Sequence, residues 1–142
     1  MKKIVFGADH AGYLYKNELI KMFTQMGYEC VDMGTNSDAS VDYPEYAGKV
    51  CEAVNADADF GILVCGTGIG MSIAANKHRG IRAALCGDTV SAKFTRLHNN
   101  ANVLCMGARI IGISTAEEIS KIFIGTEFEG GRHQYRIDML EK

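Results

Sequence analysis

Short apolar or β-branched runs alternate along the chain with stretches whose apolar residues recur every three or four positions. KIVFGAD, from Lys3, reads as a strand. Tyr15, Leu19, Met22, Phe23 and Met26 follow at helical spacing, Gly27 breaks the pattern, and YECVDMG reads as a second strand. DYPEYAGKVCEAV carries Pro44 at a first-turn position and predicts a helix ahead of the strand FGILVC. A helix from about Gly68 to Lys77, the strand IRAALC, a helix capped by Asp88 and running through Leu97, and the strand NVLCMG continue the alternation. Ser114 and Glu117 have the spacing of a capping box for a helix ending near Gly125, and a Gly130-Gly131 break precedes a last helical stretch.

Strands separated by helices imply right-handed crossovers and a parallel sheet covered on both faces. The expected fold is therefore α/β: a three-layer α/β/α sandwich around a five-stranded parallel sheet, Rossmann-like, forming a single domain over residues 1–142. No repeat, linker or low-complexity segment interrupts it. The terminal helix finds few places left on so small a core and is expected to pack on a partner subunit.

Composition narrows the class of partner. Fifteen basic and 17 acidic residues leave a net charge of −2, so no basic footprint for nucleic acid or an anionic membrane is expected. No apolar run approaches the roughly 20 residues of a membrane span, and Gly7 and Asp9 cut the first apolar stretch too early for a signal peptide. A cytoplasmic location is expected. The five cysteines, Cys30, Cys51, Cys65, Cys86 and Cys105, are odd in number and form no C-x-x-C pair. Reduced thiols fit them better than a disulfide framework, and four of the five read as core filler.

In open parallel sheets ligands bind beyond the carboxyl ends of the strands. That rim collects Asp9 and His10, the loop from Gly34 to Tyr43, the loop from Cys65 to Gly70, Gly87 and Asp88, and Arg109. The stretch VCGTGIGMS offers successive backbone N–H groups at a helix start, an anion site in outline. Its G-x-G-x-G spacing lacks the third glycine of a dinucleotide fingerprint, Gly-Lys-Ser/Thr is missing for a Walker loop, and Met71 stands where a cysteine phosphatase needs arginine. Cys65 directly ahead of those N–H groups can be a nucleophile, a base or mere packing, the first two favoured by a helix start and by the hydroxyl of Thr67. His98 and Asn99 end a helix running antiparallel to the strands, so His98 does not reach its own rim. Arg132 and Arg136, four apart, share one helix face suited to clamping a phosphate. With no H-x-x-x-H, no C-x-x-C and few clustered carboxylates, no metal site is expected.

Taken in order, GADHAGY, GTNSDASVDYPEYA, VCGTGIGMSIAANK, RLHNNANVLCMGAR and FEGGRHQYR resemble the type B ribose-5-phosphate isomerases and their galactose-6-phosphate and allose-6-phosphate isomerase relatives, over nearly the whole chain. The resemblance implies a sheet in the order 2-1-3-5-4 and a homodimer, sometimes a tetramer, with active sites shared between subunits. It implies an aldose–ketose isomerase of the non-oxidative pentose phosphate pathway, interconverting ribose 5-phosphate and ribulose 5-phosphate without a cofactor. A six-carbon 6-phosphate sugar is the alternative substrate. Carried over by resemblance, Cys65 is the base with Thr67 hydrogen-bonded nearby, and His98 is the acid that opens the furanose ring. Gly66, Gly68, Ile69 and Gly70 lie in the segment that holds the enediolate, Asn99 binds the sugar, Asp9 and Tyr43 sit by the ring oxygens, and His10, Arg109, Arg132 and Arg136 hold substrate and phosphate. With Cys65 and Ile69 at the two positions that separate the family's branches, the chain resembles the cysteine branch. A passive sugar-phosphate binding module is the rival class.

Overall fold

The computed structural model describes residues 2–141. Elements alternate in chain order as β1 (Lys3–Ala8), α1 (Tyr13–Gln25), β2 (Glu29–Asp32), α2 (Tyr43–Ala56), β3 (Phe60–Cys65), α3 (Ile69–Asn76), β4 (Ala83–Leu85), α4 (Thr89–Asn99), β5 (Val103–Gly107), α5 (Ile113–Gly125) and α6 (Arg132–Ile137). The strands form one sheet in the order β2-β1-β3-β5-β4, with every pairing parallel.

The two-residue period of the central strands sorts their side chains into two cores. Ile4, Phe6, Ile62, Val64, Leu104 and Met106 point to one face, where Leu19 and Phe23 of α1 and Ile119 and Phe123 of α5 close over them. Val5, Leu63, Cys65, Val103 and Cys105 point to the other, against Val50 and Cys51 of α2 and Met71 and Ala75 of α3. Each fully buried Leu, Ile, Val, Phe or Met side chain contributes roughly 1.5–3 kcal/mol. Helices on both faces therefore bury β1, β3 and β5 from both sides.

Pro44 stands in the first turn of α2 as the spacing predicts, and Asp88 caps α4 by accepting the Ser91 N–H on Oδ1 at 2.7 Å. The capping box at Ser114 does not form: α5 starts at Ile113 after an extended Gly112, with no side-chain cap. The preceding turn ends where the amides of Ile110 and Ile111 donate to the Gly107 carbonyl, and the Tyr15 hydroxyl pins the Ile111 carbonyl at 2.8 Å. The helix thus begins two residues too early for Ser114 to cap it. The terminal helix α6 lays His133 and Ile137 against its own chain, touching α4, so only its outer face is left for a partner.

Within the apolar stripe of α1, Lys16 is fully buried. Its ammonium donates to both carboxylate oxygens of Asp32, at 2.8 and 2.9 Å, and to Asn17 Oδ1 and Asn36 Oδ1, both at 2.8 Å. This clamp ties α1 and the end of β2 to the loop leading toward α2. Burial works against ionising Asp32, but the bonds from Lys16 and from the Gly34 N–H, together with the Lys16 charge and Asn36, outweigh it and hold the carboxyl below its usual 3.8. A carboxyl depressed on folding stabilises above its unfolded value, and that contribution disappears as pH falls through the folded value, here below about pH 4. Asp32 is partly solvated, which moderates the effect. The urea midpoint of the wild type is expected to fall more steeply than that of Asp32→Asn as pH drops from about 4 to 2; parallel declines would show that the clamp carries no pH-dependent stability.

Candidate active site

At the sheet's carboxyl edge, β1 hands the chain to α1 on one face while β3 hands it to α3 on the other. The two loops diverge at this topological switch point, the usual ligand position in such sheets. Cys65 ends β3 on the α3 side and is 5 % exposed. Its sulfur accepts the Gly68 N–H at 3.2 Å. Gly68 makes that bond possible with a φ of +80°, a conformation that L side chains rarely adopt, and a Cβ there would stand 2.6 Å from Leu85 Cδ1 and 2.8 Å from the Met106 carbonyl carbon.

The rest of the loop is equally constrained. Ala108 and Arg109 donate their amides to the carbonyls of Cys65 and Gly66, each at 2.9 Å. This brings the Arg109 guanidinium beside Gly66, where a Cβ would meet Nη1 at 3.3 Å. A Cβ on Gly70 would lie 2.8 Å from the Tyr43 ring, so that ring rests on the loop's backbone. The Thr67 oxygen accepts the Ile69 N–H at 3.2 Å. Its partner is therefore the first turn of α3, and no hydrogen bond joins Thr67 to Cys65 among the described residues, contrary to what the resemblance implies. The hydroxyl proton remains available to a ligand. Among the described residues, no protein acceptor takes the amides of Gly66, Thr67 or Gly70.

On the β1 side of the switch point, Asp9 is buried and its Oδ1 accepts the amides of Ala11 and Gly12 at 2.9 and 3.2 Å. The Val41 N–H donates to His10 Nδ1 at 3.2 Å, so the proton of the neutral ring is on Nε2, free to donate. Asp9, His10, Tyr43, Cys65, the loop from Gly66 to Gly70 and Arg109 thus share one rim.

His98, Asn99, Arg132 and Arg136 do not join them. Beyond the end of α4, the Asn102 carbonyl accepts the Gly61 N–H at 2.9 Å, at the opposite end of β3 from Cys65. Four residue steps of about 3.3 Å separate those ends by roughly 13 Å. His98, Asn99 and Arg136 line a separate crevice of about 260 Å3 together with His133. His98 and Asn99 also face a groove of about 810 Å3 that runs along β4 past Leu85, Phe94 and Leu140. One chain therefore carries two half-sites on opposite edges of its sheet.

Several residues that hold this second half-site escape a reading of motifs. Arg96 is buried and ties the end of α4 down, its Nη1 donating to Asn100 Oδ1 at 2.8 Å and to the Ala101 carbonyl at 2.7 Å. Burial lowers its pKa. His133 and Glu129 interact at 3.2 Å; their i, i+4 spacing in EGGRH was the available signal. His98, Glu129 and His133 bring donor atoms within 4.8 Å of one another. The rings of His98 and His133 are stacked, however, with centroids 4.3 Å apart and planes 15° from parallel. Nitrogen lone pairs lie in the ring plane, so in this arrangement the two rings cannot converge on one ion.

The other cysteines behave as packing. Burial pushes the Cys51 thiol up to about 12, with the Glu52 charge adding to it, and the Cys86 thiol up to about 11, with Asp88 adding to it. Complete burial raises Cys105 well above 9.0. Cys30 is raised as well, by burial that a hydrogen bond with Thr24 only partly offsets.

Among known proteins, the model of the family described as Ribose/Galactose Isomerase matches residues 4–140. Ribose-5-phosphate isomerase B of Escherichia coli is 47% identical over 141 residues, 99% of this chain and 95% of the relative. A solved ribose 5-phosphate isomerase of Thermotoga maritima superposes with a TM-score of 0.96 at 48% identity, covering 99% of this chain and 97% of that one. Ribose-5-phosphate isomerase B of Mycoplasma genitalium, solved with bound ribulose-5-phosphate, superposes with a TM-score of 0.93 at 42% identity, covering 97% and 93%.

Proposed function

The chain belongs to the ribose/galactose isomerase family, and from that premise we propose that it interconverts D-ribose 5-phosphate and D-ribulose 5-phosphate through an enediolate. The observation that carries this reading is the Gly68 N–H donated to Cys65 Sγ at 3.2 Å, beside loop amides that take no other acceptor among the described residues. An aldose becomes a ketose when the proton on C2 moves to C1 and the hydroxyl proton on O2 moves to O1. In this reading Cys65 Sγ removes the C2 proton, the C1 carbonyl electrons collect on O1, and the amides of Gly66, Thr67 and Gly70 stabilise that oxyanion. Sulfur then returns the proton to C1 as the C2 carbonyl forms. Thr67 offers its hydroxyl proton to the sugar oxygens, and Asp9 and Tyr43 flank the ring.

Ring opening needs an acid at the furanose oxygen, which we assign to His98, with Asn99 binding the sugar. His10, Arg109, Arg132 and Arg136 hold the phosphate end. Because β3 separates Cys65 from His98, this assignment requires two copies of the chain. We place the second copy along the groove bordered by Leu85, Phe94 and Leu140, all of them exposed in the single chain. The protein is then a homodimer with two shared sites, working in the cytoplasm on a step of the non-oxidative pentose phosphate pathway; a tetramer would be a pair of such dimers.

Assays of ribose 5-phosphate, allose 6-phosphate and galactose 6-phosphate side by side test the substrate. The five-carbon sugar is expected to have the highest kcat/KM, and a faster six-carbon sugar would overturn that choice. Subunit mixing tests the shared site. Cys65→Ala and His98→Asn homodimers should each be inactive, and exchange of their subunits at equal amounts should restore roughly a quarter of wild-type activity, since half the dimers then carry one intact site. Exchanged mixtures that stay silent would mean that base and acid come from the same chain.

A further inference from the structure

We propose that Glu129 and His133 form a positioning pair for His98, an inference that rests on the assignment of His98 as the ring-opening acid. The segment between α5 and α6 is built onto the end of α4. The Glu129 N–H donates to the Leu97 carbonyl at 3.1 Å, one residue before His98. From that anchor the Glu129 carboxylate meets His133 Nε2 at 3.2 Å. A carboxylate only accepts, so His133 carries its proton on Nε2 and its ring orientation is fixed.

His133 is 6 % exposed, while its neighbours Arg132 and Gln134 face solvent. Its ring lies flat against His98, centroids 4.3 Å apart at 15°. Phe94, one helical turn before His98, touches it at 5.1 Å and 51°. The His98 imidazole is thus held through its faces and makes no hydrogen bond within the chain among the described residues. Both its nitrogens stay open for a ligand. That is what a proton donor for a sugar ring oxygen requires: a ring that cannot swing, with its polar edge unspent. Glu129 and His133 touch no reacting atom; they act through His98.

The chemistry of the two sugars supplies a selective test. Ribose 5-phosphate is a closed furanose and must be opened. Ribulose 5-phosphate cannot close a furanose, because its O5 is esterified, so exchange of its C1 proton with solvent needs the base but not the acid. In deuterium oxide, His133→Asn is expected to lower kcat on ribose 5-phosphate about tenfold or more while C1 deuterium incorporation into ribulose 5-phosphate, followed by proton NMR, stays near wild type. His133→Phe, which keeps a stacked ring, should recover part of the loss. Glu129→Gln, at an exposed side chain that leaves the core untouched, should show the same split more weakly. Equal loss of both rates in His133→Asn and Glu129→Gln, or no loss in either, would overturn the pair. His98→Asn serves as the reference. If it shows the split and the His133 and Glu129 variants do not, only the positioning role fails; if His98→Asn itself shows no split, the acid has been assigned to the wrong residue.

Discussion

Cys65→Ala is expected to lower kcat on ribose 5-phosphate by about a thousandfold or more, the usual scale of losing a positioned base, with little change in fold. In the proposed mechanism the sulfur takes a proton from carbon and gives it back to the neighbouring carbon. The neighbouring oxygens are already engaged: Thr67 Oγ1 accepts the Ile69 N–H, and Asp9 Oδ1 accepts two backbone N–H groups. Stability should change by only about 1 kcal/mol, because alanine keeps the β-carbon and forfeits one nearly buried atom and its bond from Gly68. Cys65→Ser is an instructive companion. It restores a polar acceptor for the Gly68 N–H but supplies an alcohol where a thiol stood, so it should refold the loop without restoring turnover. The decisive measurements are kcat and the thermal midpoint on the same preparations. A folded Cys65→Ala retaining a tenth of wild-type kcat would remove sulfur from the mechanism.

Gly68→Ala should do the opposite damage, disturbing structure and chemistry together. The left-handed conformation alone costs a side chain about 1–2 kcal/mol. The added methyl would also press on the Met106 carbonyl carbon at 2.8 Å, in a buried strand that cannot yield as the Leu85 side chain can. Together these amount to about 3 kcal/mol, a fall in Tm on the order of 10 °C for a domain of this size. Relief would move the Gly68 N–H off the sulfur, so kcat should drop even where the protein remains folded. Gly112→Ala is the control, since a Cβ there meets nothing within 4 Å and its φ is −74°. Equal melting temperatures for the two variants would show that the αL turn is not under strain against β5.

What a sequence reveals here follows the range of the interactions involved. The layered fold is legible because strand and helix periods are local and because Pro44 and Asp88 act within a turn of their own positions. The rim is legible because parallel topology sends every strand end the same way. Lys16 is not: its place in the α1 stripe looks like an interruption until Asp32, Asn17 and Asn36 are seen to enclose it. Ser114 misleads because the hold of Tyr15 and Gly107 on the preceding turn decides where α5 starts. Met26, in step with the apolar stripe, ends half-exposed as the C-cap of α1. His133 is not legible either, because its place against His98 depends on the Glu129 segment folding back onto Leu97, a contact between elements separated by all of β5 and α5.

With Cys65 as base and His98 as acid, as proposed, their wide separation along β3 would make turnover a property of encounters between chains rather than of a folded chain. In the dimeric reading, dilution below the dissociation constant should extinguish specific activity while circular dichroism barely changes. The enzyme's rate would then report how crowded its own copies are, and only a subunit lacking both Cys65 and His98 would, in excess, silence its wild-type partners, since one lacking either alone leaves each wild-type chain one working site.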